Sequence, residues 1–154
     1  MPFERTDYNG LPQYVTVSGN DVYVCGQVKG ENDKAFLAAY WKNGKLIKLE
    51  DTKASFAGNI KVVGNNIYVS GWARFPRASA MIWINGVPTR LNSEDYLSYA
   101  SGVSVVGNDV YVSGWSVDSS GTTGKALYWK NGVQYTLTPP GVNGAATDVF
   151  TDGN

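Results

Sequence analysis

The motif Trp-x-Asn-Gly occurs three times, at Trp41, Trp83 and Trp129, and each copy is followed by a leucine eight residues after its tryptophan, at Leu49, Leu91 and Leu137. A second block, Gly-Asn-Asp/Asn-Val/Ile-Tyr-Val-x-Gly, begins at Gly19, Gly64 and Gly107, and the two blocks alternate at spacings of 42 to 46 residues. That period marks a tandem array of one supersecondary unit, and a unit of this size cannot bury its own apolar faces. The units must therefore cover one another.

The second unit is the clearest. Ile60-Lys61-Val62-Val63 reads as a strand, Gly64-Asn65-Asn66 as a tight turn, and Ile67 to Trp72 as the strand returning beside it. After a looser stretch from Ala73 to Ser79, Ala80 to Ile84 predicts a third strand, Asn85-Gly86 a second turn, and Val87 to Leu91 a fourth strand. Asn-Gly is a strong hairpin signal because a type I′ turn needs positive φ at both central residues. Pro88 cannot donate to a ladder, which sends the fourth strand to a sheet edge. Val22 and Val24 point to one face and Tyr23 to the other, with the same alternation around Tyr68 and Tyr111, so both faces are apolar and the sheet must be sandwiched. Composition agrees with an all-β chain: 18 Gly, 10 Tyr and 5 Trp supply turn and strand formers, and no window carries a helical stripe.

Four-stranded sheets sandwiched between copies of themselves at this period are blades of a β-propeller. The Trp-Lys-Asn-Gly hairpin, carried by Tyr40-Trp41-Lys42-Asn43-Gly44 and Tyr128-Trp129-Lys130-Asn131-Gly132, departs to Trp83-Ile84-Asn85-Gly86 in the middle copy. It resembles propeller repeats found in bacterial secreted and surface proteins. The resemblance implies the fold and a secreted or surface origin, and it carries no catalytic or ligand residue onto this chain. The Trp-Asp and Gly-His signature of WD40 blades, the kelch double glycine and the sialidase Asp-box are absent.

Residues 1–50, 51–92 and 93–138 then form three blades. Val149 to Asn154 align with Val15 to Asn20, Ile60 to Asn65 and Val103 to Asn108, so residues 139–154 are expected to supply a spare inner strand of an incomplete fourth blade. Propellers close with about four to eight blades, and three would leave an apolar face at each end. The expectation is half of a six-bladed ring, closed by a twofold homodimer. Membership of a longer array, or missing blades supplied by a different polypeptide, are the alternatives. In the dimer the tail near Phe150 and the head near Tyr14 compete for one place, so one of them should be displaced.

Functional residues are sparser. Trp41, Trp83 and Trp129 recur at the same strand position in every unit, which assigns them to inter-sheet packing before sugar stacking. Connections between the second and third strands, and between units, vary in length and share one end of the ring. That end carries Trp72, Arg74, Phe75 and Arg77 in the second unit, Trp115 and Asp118 in the third, and Glu94, Asp95, Tyr96 and Tyr99 between them. Trp72, Arg74, Phe75, Arg77, Tyr99 and Trp115 are the candidate ligand-binding residues, because aromatics with arginine are what interfaces favour. The competing reading, in which Trp72 and Trp115 only extend their strands into the core, is supported by Gln27 at their place in the first unit.

Chemistry-bearing residues are few. The chain has no histidine, which excludes imidazole-based triads and imidazole metal ligands within it. Adjacent acids, Glu50 with Asp51 and Glu94 with Asp95, are candidates for glycoside hydrolysis, but acids in loops after an edge strand are usually solvated. Asp21 and Asp109 have Asn66 as their counterpart, which suits turn formation and not an obligatory carboxylate ligand. The single Cys25 stands where Ser70 and Ser113 stand, as a small space-filler. The Gly-rich stretches at Gly121 to Gly124 and Gly141 to Gly144 lack a phosphate-loop lysine and serine. Thirteen basic and thirteen acidic residues, scattered, leave no footprint for nucleic acid or an anionic membrane surface. The first residues lack the apolar run of a signal peptide.

The reading is a non-catalytic propeller module with no cofactor, no metal and no nucleic-acid or membrane partner. It self-associates and displays a glycan- or protein-binding loop face. The alternatives are a carbohydrate-binding propeller with Trp72, Trp115 and Tyr99 as sugar platforms and, further off, a glycoside-active enzyme.

Overall fold

A computed structural model describes residues 8–91 and 97–152. It is all-β, with three four-stranded antiparallel sheets whose strands lie side by side in chain order. The first sheet is β1 (Tyr8–Ser18), β2 (Asp21–Gly30), β3 (Leu37–Lys42) and β4 (Lys45–Lys48). The second is β5 (Ser55–Val63), β6 (Asn66–Arg74), β7 (Ala78–Ile84) and β8 (Val87–Arg90), and the third is β9 (Leu97–Val106), β10 (Asp109–Val117), β11 (Gly124–Lys130) and β12 (Val133–Thr136). Pro88 lies on the edge strand β8, where its missing N–H breaks no ladder.

The two sequence blocks form one hydrogen-bonded device. Asn43, Asn85 and Asn131 adopt φ of 50°, 52° and 52°, and the glycines after them also have positive φ, as a type I′ turn demands. Each of these asparagines reaches across to the β1–β2, β5–β6 or β9–β10 hairpin. Their Oδ1 atoms accept from the backbone N–H of Val22, Ile67 and Val110 at 2.8, 2.9 and 2.8 Å. Their Nδ2 groups donate to Asp21, Asn66 and Asp109 at 2.7, 2.8 and 2.7 Å.

The departure of the middle copy has a cause here. Lys42 pairs with Asp21 and Lys130 with Asp109, both at 2.8 Å, and each ammonium also lies over a tyrosine ring, Tyr23 or Tyr111. The second sheet has the neutral Asn66 at the aspartate position, and Ile84 replaces the lysine. Asp109 is held below the usual carboxylate range by its hydrogen bonds from Lys130 and Asn131, so this pairing is present at neutral pH and is lost as pH falls through the lowered value. Asn131→Ala removes the side-chain tie and places a β-carbon residue at positive φ without asparagine's compensation. It is expected to destabilise the protein by about 1–3 kcal/mol in urea unfolding, and a shift under a few tenths would contradict this account of the motif.

Every sheet also carries a bulge in its first strand. The register skips Gln13 between Pro12 and Tyr14, Gly58 between Ala57 and Asn59, and Ser101 between Ala100 and Gly102. Facing the bulge on the second strand is the last glycine of the repeat block. A Cβ on Gly26, Gly71 or Gly114 would lie 2.2, 1.9 or 2.1 Å from the carbonyl oxygen of Leu11, Phe56 or Tyr99. The glycine is thus required by close backbone approach.

The sheets stack in series. β5 packs on β1, β2 and β3, and β9 packs on β5, β6 and β7. Between the first two sheets lie Tyr23, Cys25 and Tyr40 against Ile60, Val69, Met81 and Trp83. Between the second and third lie Ala80, Ile82 and Leu91 against Val103, Val112, Leu127 and Trp129. A buried serine pegs each junction: Ser55 Oγ accepts from the Ala38 N–H at 2.8 Å, and Ser98 Oγ from the Ala80 N–H at 3.0 Å.

The stack is open, and equivalent residues differ by position in it. Ile60 and Val103 are 1% and 4% exposed, whereas Val15 on the outer face of the first sheet is 58% exposed. Trp83 and Trp129 are fully buried, but Trp41 is only half-buried, so inter-sheet packing holds for two of the three tryptophans. Leu49 and Leu91 are covered by the next sheet, while Leu137 is 56% exposed.

The tail differs from expectation in form. Residues 137–152 make no strand, because no second strand lies beside them to complete a ladder. Their course still repeats that of β5. The Ser55 N–H donates to the Phe36 carbonyl, and the Gly144 N–H donates to the equivalent Gly124 carbonyl at 3.0 Å. Gly144 stands where Ser55 and Ser98 stand, with Ala126 N 3.8 Å from where its Cβ would be. Further along, Asp148 accepts from Asn59 Nδ2 at 3.3 Å, and Ser104 and Thr151 share a hydroxyl hydrogen bond of 2.6 Å. The head, β1, is fully paired with β2.

Candidate functional site

The bulges define a place where all three sheets and the tail meet. Gln13, Gly58 and Ser101, the three bulge residues, line a cavity of about 450 Å³ together with Thr147, their counterpart in the tail. Extra residues at bulges turn the strand and re-aim side chains, which is why these positions leave the sheet faces and converge.

Aromatic rings form the walls. Phe56 is in register with Trp72, and Tyr99 with Trp115, so each pair is brought together across neighbouring strands of one sheet. All four rings line the cavity, each half-buried. Tyr99 joins the two sheets: it stacks on Trp115 with centroids 4.3 Å apart and planes 20° from parallel, and meets Trp72 edge to face at 5.9 Å and 79°. Such geometries follow the quadrupoles of the rings and hold them rigidly. In the first sheet the equivalent registered pair is Leu11 and Gln27.

The structure thus brings together three of the six candidate residues, Trp72, Tyr99 and Trp115, at the end of the sheets that bears the variable connections. Arg74, Phe75 and Arg77 go elsewhere, to the end of β6 and the β6–β7 connection. There the Phe75 N–H donates to the Arg77 carbonyl, and Phe75 packs on the core under Lys53, whose Nζ is 3.7 Å from its ring centroid. Of the other residues named for this end, Asp118 caps the β10–β11 turn, accepting from Ser120 N–H at 3.0 Å. Glu94, Asp95 and Tyr96 lie outside the described residues. Phe56, Gln13, Ser101 and Thr147 were not foreseen. For Phe56 the signal was there, as an aromatic at the position of Tyr99.

The described residues lining the cavity carry amide, hydroxyl and aromatic groups, with no carboxylate, amine, guanidinium or thiol among them. Cys25 is buried elsewhere, between the first two sheets, and burial pushes its thiol up to about 12, which keeps it protonated and inert. Glu50, in the β4–β5 connection, is half-buried, and desolvation raises its carboxyl above the usual range while Asp51 beside it is exposed. Neither acid lines the cavity. Among the described residues no group of three or more acidic or thiol side chains is placed to hold a metal ion. A scan against protein-family models matches no family, and a search of curated proteins finds no relative.

Proposed function

We propose that this chain is a non-catalytic assembly module of β-propeller type, three blades whose ring is completed by a second copy. One observation carries the reading. The outer face of the first sheet presents Val15, Val17, Val22 and Trp41 to solvent; where another sheet precedes, the positions of Val15 and Trp41 are buried and those of Val17 and Val22 are half-buried. A contiguous apolar face of this kind drives association.

The seat for that face is the far side of the third sheet. The tail already lies there, making at Gly124 the contact that β5 makes on the first sheet at Phe36. The first strand of a second copy belongs to the same seat, so assembly displaces residues 144–151. Convergence of four equivalent bulge positions on one cavity supports strands arranged about a common axis. Six blades fall inside the range of about four to eight that propellers use, and two identical head-to-tail junctions close by a twofold rotation.

Light scattering coupled to gel filtration tests this. The expected mass is twice the chain's 16.7 kDa, and Val15→Asp, at an exposed position, is expected to yield a folded monomer. A monodisperse wild-type monomer at micromolar concentration overturns the proposal.

A further inference from the structure

The cavity has a chemistry of its own, of which only Thr147 would leave with the tail on ring closure. Its walls are four aromatic rings, its polar side-chain groups are the Gln13 amide, the Ser101, Thr147 and Tyr99 hydroxyls and the two indole N–H groups, and no formal charge stands among its described lining residues. An anionic ligand would find no cation there, and a cationic one no carboxylate. A purely apolar ligand would leave the amide of Gln13 and the hydroxyls of Ser101 and Thr147 without use.

A pyranose ring fits both halves of this surface. Its axial C–H groups carry slight positive charge and match the negative face of an aromatic ring, while its hydroxyls radiate outward and need donors and acceptors around the rim. The polar groups here come from different directions: Gln13 from β1, Ser101 from β9 and Thr147 from the tail. At about 450 Å³ the space falls within the usual range for small-molecule sites, about 300–1,000 Å³. A proline-rich peptide also favours aromatic surfaces, but it needs an extended groove with ridges in a row. Here the rings share one cavity with the polar groups.

The floor is kept open by a missing side chain. A Cβ on Gly58 would stand 3.3 Å from both the Phe56 ring and the Ser101 carbonyl oxygen, so a larger residue would intrude on the cavity it lines. The rings are also fixed in advance, since Tyr99 braces Trp115 by stacking and Trp72 by its edge. Rigid platforms lose little entropy on binding.

We infer that the hollow formed by Phe56, Trp72, Tyr99 and Trp115, rimmed by Gln13 and Ser101, binds a single neutral sugar ring of a glycan. The rings and both rim residues belong to strands of one chain, so the site persists whichever element occupies the seat of the tail.

The test is a titration of the full chain with methyl α- and β-glycosides of glucose, galactose, mannose and N-acetylglucosamine, read by calorimetry and by tryptophan fluorescence. Saturable binding of at least one glycoside is expected, with Kd on the order of 1 mM. Trp72→Ala and Trp115→Ala should each weaken it by roughly tenfold or more, which is the loss of one anchor ring. Because those variants disturb packing, Gln13→Ala supplies a mild probe at an exposed position, expected to weaken binding by about threefold with unchanged circular dichroism. Trp41→Ala, which attacks the proposed junction between copies, should leave glycoside affinity unchanged, so failure of the ring and failure of the sugar site are read separately. The inference is overturned by no saturable signal for any glycoside up to about 100 mM. It is equally overturned by binding indifferent to Trp72, Trp115 and Gln13, or by a polyproline peptide that binds in the hollow where the glycosides do not.

Discussion

Trp83→Ala is expected to destabilise the protein by about 3–5 kcal/mol in denaturant unfolding, the usual cost of deleting a large aromatic side chain from a closed core. Trp83 is 0% exposed and packs among residues of the first and second sheets. Among the described residues its Nε1 has no hydrogen-bond partner, so Trp83→Phe gives up ring volume and no polar contact there. That variant should lose less than half as much, about 1–2 kcal/mol. The informative comparison is Trp41→Ala, the same motif position at the open end of the stack. Within an isolated chain its half-buried ring should contribute about 1 kcal/mol, while in a closed ring its loss appears instead as weaker self-association. Equal losses for Trp83→Ala and Trp41→Ala at a concentration where the protein is monomeric would falsify this assignment of the exposed end.

The second large effect is at Gly71. Alanine there would put its Cβ 1.9 Å from the Phe56 carbonyl oxygen, 2.9 Å from the carbonyl carbon and 3.1 Å from Ala57 Cα. These are backbone atoms, which cannot rotate away. Gly71→Ala must push the bulge of β5 outward, at an expected loss of 3 kcal/mol or roughly more, beyond ordinary overpacking because no side chain can yield. Phe56 moves with the bulge and carries one wall of the sugar site, so glycoside binding should fall together with stability. Gly64→Ala is the control: its Cβ would meet nothing within 4 Å, though its φ of 58° still penalises alanine. Its expected cost is about 1 kcal/mol with no change in binding. A Gly71→Ala protein as stable as wild type would remove the close backbone approach as the reason for the last glycine of the block.

Much of the fold is legible in single residues. Asn85-Gly86 and its two counterparts announce a turn that only positive φ allows, and Pro88 announces an edge strand. The alternation around Tyr68 announces a sheet covered on both sides. Each signal is local, because a dihedral requirement or a period of two residues is written in neighbouring positions. The partnership of Asn43, Asn85 and Asn131 with Asp21, Asn66 and Asp109 was visible only as two separate motifs, since the hydrogen bonds span about twenty residues of chain. The tail forms no strand for a related reason. Its residues match the pattern of a first strand, but a strand exists only when another donates and accepts beside it.

The site was half legible. Trp72, Tyr99 and Trp115 stand out as aromatics near variable connections, yet Arg74, Phe75 and Arg77 had the same standing and lie apart from the cavity. What separates the two groups is strand register and the bulge, and a one-residue skip at Gly58 or Ser101 leaves no compositional trace.

By itself the sequence determined the repeating unit, its four strands, its turns and its two apolar faces, because each depends on interactions within one unit. Tertiary structure alone decided which copy of a repeated residue is buried, where the bulge residues meet, and what the tail does. Trp41 and Trp83 are the same residue in the same motif, and they differ only in whether another sheet lies in front of them. Burial is a property of neighbours in space, and identical repeats cannot encode which of them stands at the end.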